Sequence, residues 1–131
     1  MSHDFERYSC QIALPSFGEN SQQLLQNARV LIVGMGGLGC PTAQYLASSG
    51  VGTIAIVDDD IVSVSNLHRQ ILYSQADVGQ FKVDVAAKRL SEQNLEIEII
   101  PLKSRIDSDN VFETIREYDL IIEGTDNFET K

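Results

Sequence analysis

The chain has 131 residues, the length of about one domain, and its 43% hydrophobic and 22% charged residues are typical of a globular protein. Ten Lys and Arg against 19 Asp and Glu give a net charge of −9, and so acidic a surface disfavours nucleic acid and anionic membranes as partners. The two cysteines, Cys10 and Cys40, are too few for a disulfide framework, and the start of the chain has no apolar segment typical of a secretory signal. We therefore expect a cytoplasmic protein.

Short apolar runs alternate with longer amphipathic ones along the chain. The pattern predicts an N-terminal arm and helix over residues 1–28, strands over 29–33, 53–57, 95–102 and 119–122, and helices over 38–49, 65–72 and 80–93. A last helix would be capped by Ser108 and would bury Val111, Phe112 and Ile115. The uncharged stretch from 30 to 57 is explained by two buried strands around a helix rather than by a membrane span.

Strands separated by helix-length segments indicate right-handed βαβ units. We expect an α/β fold in which residues 29–131 form a Rossmann-like parallel sheet with helices on both faces. No helix follows the fourth predicted strand, so we expect the chain to be the N-terminal part of a longer domain, truncated after that strand.

A glycine-rich loop joins the first predicted strand to the following helix. Gly34 would permit a tight turn, Gly36 and Gly37 would let backbone N–H groups approach a phosphate, and Gly39 would let the helix pack closely on the strand. The N-terminus of that helix adds a partial positive charge. Asp58 ends the second strand, where an acidic residue accepts hydrogen bonds from ribose hydroxyls. The sequence therefore predicts a nucleotide site.

The glycine loop alone does not distinguish a nicotinamide cofactor from ATP, but other polar side chains group near it. They are Asp58 and Asp60 on one side of an extended chain with Asp59 on the other, Asn66 and Arg69 on one helix face, Lys82 at the start of the long helix, and Asp126 and Asn127 after the last strand. Two cations and a carboxylate suit a triphosphate with Mg²⁺ better than a dinucleotide.

Five motifs, in order and spacing, resemble the MoeB/ThiF adenylyltransferases of the ubiquitin-activating-enzyme-like superfamily, and above all their molybdopterin-synthase members. The motifs are RYSCQ at 7–11, GMGGLG at 34–39, SNLHRQ at 65–70, VGQFK at 78–82 and TDN at 125–127. The resemblance implies ATP-dependent adenylation of the C-terminal glycine of a small ubiquitin-like sulfur carrier, in molybdopterin or thiamine biosynthesis, by a homodimer.

The resemblance also implies roles for individual residues. Arg69 would contact the phosphates, Lys82 would neutralise charge at the α-phosphate, and Asp126 would hold Mg²⁺. Besides these three catalytic residues, ATP would be bound by Gly34, Gly36, Gly37, Gly39, Asp58, Asp60, Ser65, Asn66, Leu67, His68 and Asn127.

The chain departs from the family in two ways. Cys10 stands where the family has an arginine that reaches into the neighbouring subunit's ATP site, and a thiol cannot supply that cation. Either Arg7 replaces it, or the stabilisation from the neighbouring subunit is weaker, or the protein is impaired. The family's two Cys-x-x-Cys pairs, which hold a structural Zn²⁺, are not in this sequence, and we expect them beyond Lys131. Cys40 is expected to be a small packing residue.

Two alternatives to an adenylating enzyme stay open. An NAD-dependent oxidoreductase would use the same glycine loop, but it would leave Arg69, Lys82 and Asp126 without a role. A non-catalytic, adenylation-like scaffold subunit is the second alternative, and Cys10 is the main argument for it.

Overall fold

The computed structural model describes residues 7–67 and 72–124. Two helices, α1 (Ser9–Ile12) and α2 (Gly18–Asn27), form the N-terminal arm. The elements that follow are β1 (Arg29–Val33), α3 (Gly39–Ser49), β2 (Thr53–Val57), α4 (Lys82–Gln93), β3 (Glu98–Leu102), α5 (Val111–Ile115) and β4 (Leu120–Glu123). Two 3₁₀ turns, Val64–Asn66 and Gln75–Asp77, lie in the long connection between β2 and α4.

The four strands form one parallel sheet in the order β3-β2-β1-β4. Val30 of β1 pairs with Ile54 of β2 on one side and with Leu120 of β4 on the other, which makes β1 a central strand. The predicted Rossmann-like α/β fold is thereby confirmed. Because the strand order changes direction between β1 and β4, the crevice where such sheets bind ligands lies at the carboxyl ends of these two strands.

Helices cover both faces of the sheet, as predicted. On one face α3 and α4 pack against Ile32, Ile54 and Ile56. The other face holds a smaller cluster of Leu31 and Val57 with neighbouring residues, covered by α5 and the segment before it. The uncharged stretch from 30 to 57 is β1, α3 and β2. In the part of the chain that is described, no helix is long and apolar enough to cross a bilayer.

Three local predictions are wrong. Ser108 does not cap α5: the N-cap position is Asn110, which makes no side-chain capping hydrogen bond. In the turn before the helix, one Asp107 carboxylate oxygen accepts the N–H groups of Asp109 and Asn110 at 2.9 and 3.0 Å. Phe112 is 79% exposed, because a helix of five residues has only a narrow face that can reach the sheet. In the region predicted as a helix over 65–72, the described residues form only a 3₁₀ turn.

The N-terminal arm docks on the end of α3 that is remote from the glycine loop. Tyr8 is buried, and its hydroxyl accepts a hydrogen bond from the Asn94 amide at 2.7 Å. The side-chain amides of Gln11 and Gln22 both donate to the Ser49 carbonyl, at 2.7 and 3.0 Å. Buried polar groups that are paired in this way hold the arm in one position, because any displacement would leave them without partners.

Candidate nucleotide site

The glycine loop, residues 34–39, makes a sharp turn between β1 and α3. Gly34 has a φ of 97°, which favours glycine, and its N–H donates to the Val57 carbonyl at 2.8 Å. A Cβ on Gly39 would lie 1.8 Å from the Gly34 carbonyl oxygen, so only glycine fits where the helix starts. Both structural reasons predicted for these glycines, a tight turn and close packing, are confirmed.

Two N–H groups of the glycine loop are available to a ligand. Within residues 7–67 and 72–124, the backbone N–H groups of Gly36 and Gly37 donate to no protein acceptor. They immediately precede α3, whose N-terminus carries a partial positive charge. At the end of β4, a Cβ on Gly124 would lie 3.4 Å from the Gly39 nitrogen. The loop therefore lies in the crevice between the ends of β1 and β4.

Asp58 holds the glycine loop from the neighbouring strand. One of its carboxylate oxygens accepts the Met35 N–H at 2.7 Å, and the other accepts the Asp60 N–H at 2.8 Å. The second hydrogen bond turns the backbone, so that the carboxylates of Asp58, Asp59 and Asp60 lie within 4.8 Å of one another. The prediction that Asp59 points away from the other two is wrong for this reason. Each Asp58 carboxylate oxygen can accept one more hydrogen bond. A hydrogen bond from ribose to Asp58 stays a prediction.

Whereas Asp58 binds the Met35 N–H, two other side chains bind the Met35 carbonyl. The Tyr73 hydroxyl donates to it at 2.7 Å, and the Cys40 thiol donates at 3.3 Å. Both side chains are buried, and burial raises the pKa of each above its ordinary value, so both keep their protons at neutral pH. The predicted packing role of Cys40 is confirmed. Tyr73 is not predicted by the sequence, because it lies in an aperiodic connection where no pattern marks its side chain.

Lys82 lies at the start of α4 and is only 4% exposed. Its Nζ atom is 3.9 Å from a carboxylate oxygen of Asp60, and its N–H donates to the Asp60 carbonyl at 3.1 Å. An antiparallel bridge between Ile61 and Phe81 brings the two segments together. The structure thus brings the glycine loop, Asp58, Asp60 and Lys82 to the same end of the sheet, and the Lys82 side chain is buried there.

The connection before α4 is fixed by an ion pair. Asp77 is buried and accepts two hydrogen bonds from Arg89 of α4, at 2.9 and 3.1 Å, and two more from the N–H and hydroxyl of Ser74. Arg89 also donates to the Leu72 carbonyl at 3.0 Å. Burial raises the pKa of Asp77, but the hydrogen bonds from Ser74 and the charge of Arg89 outweigh it, and the pKa is lowered.

We expect Asp77→Asn to destabilise the protein by about 1.5–3 kcal/mol at pH 7, since the variant loses hydrogen bonds to a charged group. A lowered pKa means that the carboxylate stabilises the fold above its unfolded-state pKa, and that this stabilisation is lost as the pH falls through the folded-state pKa. The difference from the wild type should therefore shrink below pH 3.8, the ordinary Asp value. Urea unfolding between pH 7 and pH 3 measures this difference in unfolding free energy.

The half-exposed ion pair of Asp84 with Lys103 provides the control. Asp84→Asn should cost less than about 1 kcal/mol. An equal cost for Asp77→Asn and Asp84→Asn would contradict the prediction.

Comparison with known proteins identifies the family. The sequence profile of the ThiF family matches residues 8–131. The chain belongs to the ThiF family. The sulfur carrier protein adenylyltransferase of Thermus thermophilus is 44% identical over 128 residues, which are 98% of this chain and 47% of that protein. The adenylyltransferase and sulfurtransferase MOCS3 of Aedes aegypti is 43% identical over 130 residues, 99% of this chain and 30% of that protein.

Some solved structures that resemble this ThiF family chain contain a bound nucleotide. The E. coli tRNA N6-threonylcarbamoyladenosine dehydratase in complex with AMP is 31% identical, with a TM-score of 0.90, over 98% of this chain and 52% of that one. The same enzyme in complex with ATP gives 30% identity and a TM-score of 0.87, over 98% and 53%. This chain thus spans less than two thirds of the relatives it matches.

The remaining predicted site residues have different surroundings. Ser65 is exposed, with its hydroxyl 3.2 Å from that of Ser63. Leu67 packs against the core beside α3 and α4. Asn66 contributes its backbone to a 3₁₀ turn. Four predicted residues lie outside the described residues: His68, Arg69, Asp126 and Asn127.

Arg7 and Cys10 lie on the arm, at the opposite end of the sheet from this chain's own glycine loop. Arg7 donates to the Gln93 carbonyl at 3.1 Å, and Cys10 is exposed on α1. A cation at the C-terminus of a helix is stabilised by the helix dipole, which gives Arg7 a structural role at the end of α4. Its action on a second subunit stays a prediction.

Proposed function

We propose that the protein adenylates the C-terminal glycine of a small ubiquitin-like sulfur carrier with ATP. The observation that carries the proposal is the pair of N–H groups at Gly36 and Gly37, which have no acceptor among the described residues and lie at the same end of the sheet as the buried Lys82. Backbone N–H groups at a helix N-terminus are ligands for phosphate oxygens. The names of the curated relatives and the nucleotide complexes of the structural relatives point the same way.

The reaction requires positioning and charge stabilisation more than acid–base chemistry. A carboxylate oxygen of the carrier attacks the α-phosphorus, the bond to the bridging oxygen breaks, and pyrophosphate leaves with that electron pair. Negative charge that develops around the α-phosphate would be stabilised by Lys82 and the loop N–H groups, and Arg69 would bind the other phosphates. The Lys82 side chain is buried, so bulk solvent would screen its charge less than that of a surface lysine.

Mg²⁺ would be held by Asp126, beside Asn127. A Cβ added to Gly124 would lie 3.4 Å from the Gly39 nitrogen, and Asp126 follows Gly124 by two residues in the sequence. Carboxylate oxygen is the ligand type that Mg²⁺ prefers. When bound, Mg²⁺ would neutralise part of the charge on the phosphates. The structural Zn²⁺ of the family is proposed only for the full-length protein.

The carrier and the pathway belong to the same proposal. The relative from Thermus is named for a sulfur carrier protein, and we propose a carrier of the MoaD or ThiS kind, in molybdopterin or thiamine biosynthesis. We also propose that the protein is a homodimer, as the family resemblance implies, and that it is cytoplasmic. Neither nucleic acid nor a membrane is proposed as a partner, because the net charge is −9.

Exchange of labelled pyrophosphate into ATP tests the proposal in the whole protein. Exchange that depends on a carrier ending in Gly-Gly supports adenylation of that carrier. Tight binding of NADH without exchange would instead support the oxidoreductase alternative.

The non-catalytic scaffold alternative stays open because the exposed Cys10 takes the place of the family's arginine on the arm. The exchange assay separates the two functions. Turnover by the wild type at a rate typical of adenylating enzymes excludes a pure scaffold. Activity that appears only in Cys10→Arg would favour it.

A further inference from the structure

We propose that Tyr73 is a positioning residue for the phosphate-binding loop. The inference rests on the proposed function, because it concerns the backbone that would bind ATP. It goes beyond that function by assigning the loop's geometry to a side chain outside the glycine motif, 38 residues away in sequence.

The backbone of Met35 is held by hydrogen bonds at both its N–H and its carbonyl group. Asp58 accepts the Met35 N–H at 2.7 Å, and Tyr73 donates to the Met35 carbonyl at 2.7 Å. The carbonyl of Met35 belongs to the same peptide plane as the N–H of Gly36. Fixing the Met35 carbonyl therefore fixes the direction in which the Gly36 N–H points, and that N–H is one of the two available to phosphate.

Tyr73 is the stronger of the two donors to that carbonyl. The hydroxyl bond is 2.7 Å long, whereas the Cys40 bond is 3.3 Å and a thiol is a weak donor. The Tyr73 side chain is buried, so its hydroxyl is shielded from bulk solvent. Without the hydroxyl, the Cys40 thiol would be the one donor left to the Met35 carbonyl among the residues that the structure describes.

Tyr73 also connects the glycine loop to the segment that leads into α4. It follows directly after Leu72, whose carbonyl accepts a hydrogen bond from Arg89 at 3.0 Å, and the Asp77–Arg89 pair holds the rest of that segment on α4. The chain that leads from Arg69 toward α4 thus passes through Tyr73. One hydroxyl fixes the glycine loop relative to α4, where Lys82 lies.

Tyr73→Phe tests this inference because the ring is kept and only the hydroxyl is removed. Tyr8→Phe is the matched control: Tyr8 is an equally buried tyrosine with a hydrogen-bonded hydroxyl, located at the far end of α3. Both variants are compared with the wild type in the whole protein, first by amide hydrogen exchange without nucleotide. Tyr73→Phe should speed exchange at Met35 roughly 3- to 10-fold, the effect of losing one neutral hydrogen bond, and Tyr8→Phe should not.

The second measurement compares the Kd of ATP with the Kd of adenosine by titration calorimetry. Positioning predicts that Tyr73→Phe raises the Kd of ATP roughly 3- to 10-fold and leaves that of adenosine unchanged, since only the phosphates use the loop. Unchanged exchange at Met35, equal losses for both ligands, or the same pattern in Tyr8→Phe would overturn the inference. A wild type that binds neither ligand, with faster exchange in Tyr73→Phe, would refute the proposed function and support the hold of Tyr73 on the loop.

Discussion

Replacing Lys82 by methionine is expected to lower carrier-dependent ATP–pyrophosphate exchange by about 100-fold, the effect of removing one preorganised electrostatic group from an active site. The loss should fall on kcat more than on the KM for ATP, because the ammonium would act mainly on charge that develops in the transition state. Lys82 is 4% exposed, so little solvent screens its charge. Steady-state exchange rates at several ATP concentrations measure both quantities.

The folded state should survive this substitution, since methionine fills a similar volume and its burial removes the cost of desolvating a charge. Lys88→Met provides the control, because Lys88 lies on the same helix and is exposed. It should leave exchange within about twofold of the wild type, since an exposed charge away from the crevice is screened by water. Equal losses in Lys82→Met and Lys88→Met, or normal exchange in Lys82→Met, would contradict the assignment of Lys82 to the α-phosphate.

Asp126→Ala is expected to abolish Mg²⁺-dependent exchange, with a loss of about 1,000-fold or more, while the fold is retained. The physical reason is that a metal ion between phosphates supplies several kcal/mol of charge stabilisation, and a ligand that anchors it to the protein is needed to place that charge. Because the carboxylate would act through the metal, the variant should also need a higher Mg²⁺ concentration for any activity that is left. Exchange measured against Mg²⁺ concentration, with circular dichroism as the check on folding, tests the prediction.

Asp59→Ala is the matched control for the metal prediction. Asp59 is an exposed carboxylate whose oxygen lies within 4.8 Å of those of Asp58 and Asp60, in the same crevice, but the family resemblance gives it no role. Its removal changes the local charge by the same amount and should leave the Mg²⁺ requirement unaltered. If Asp59→Ala raises the requirement and Asp126→Ala does not, the acidic turn after β2 holds the metal instead.

The local chemistry of the glycine loop could be predicted well from the sequence. A turn that needs positive φ and a helix that starts against a strand both require glycine, so the spacing of Gly34 and Gly39 already contains the geometry. Capping by Ser108 and burial of Phe112 were predicted wrongly, because three apolar residues at helical spacing do not reveal how short the helix is. The short α5 begins after Asn110, two residues beyond Ser108, and its Phe112 faces solvent.

The sequence by itself determined the order of the strands, the two long helices between them, the glycine-rich turn and the identity of the charged side chains, since each of these depends on residues close together in the chain. Only the tertiary structure decided that Asp58 and Tyr73 hold Met35 from opposite sides and that Lys82 is buried beside Asp60. These contacts join residues more than 20 positions apart, and they exist because parallel pairing of β1 with β2 and the bridge between Ile61 and Phe81 bring distant segments to one end of the sheet. Local sequence patterns do not show which polar side chains this chain path brings within hydrogen-bonding distance of one another.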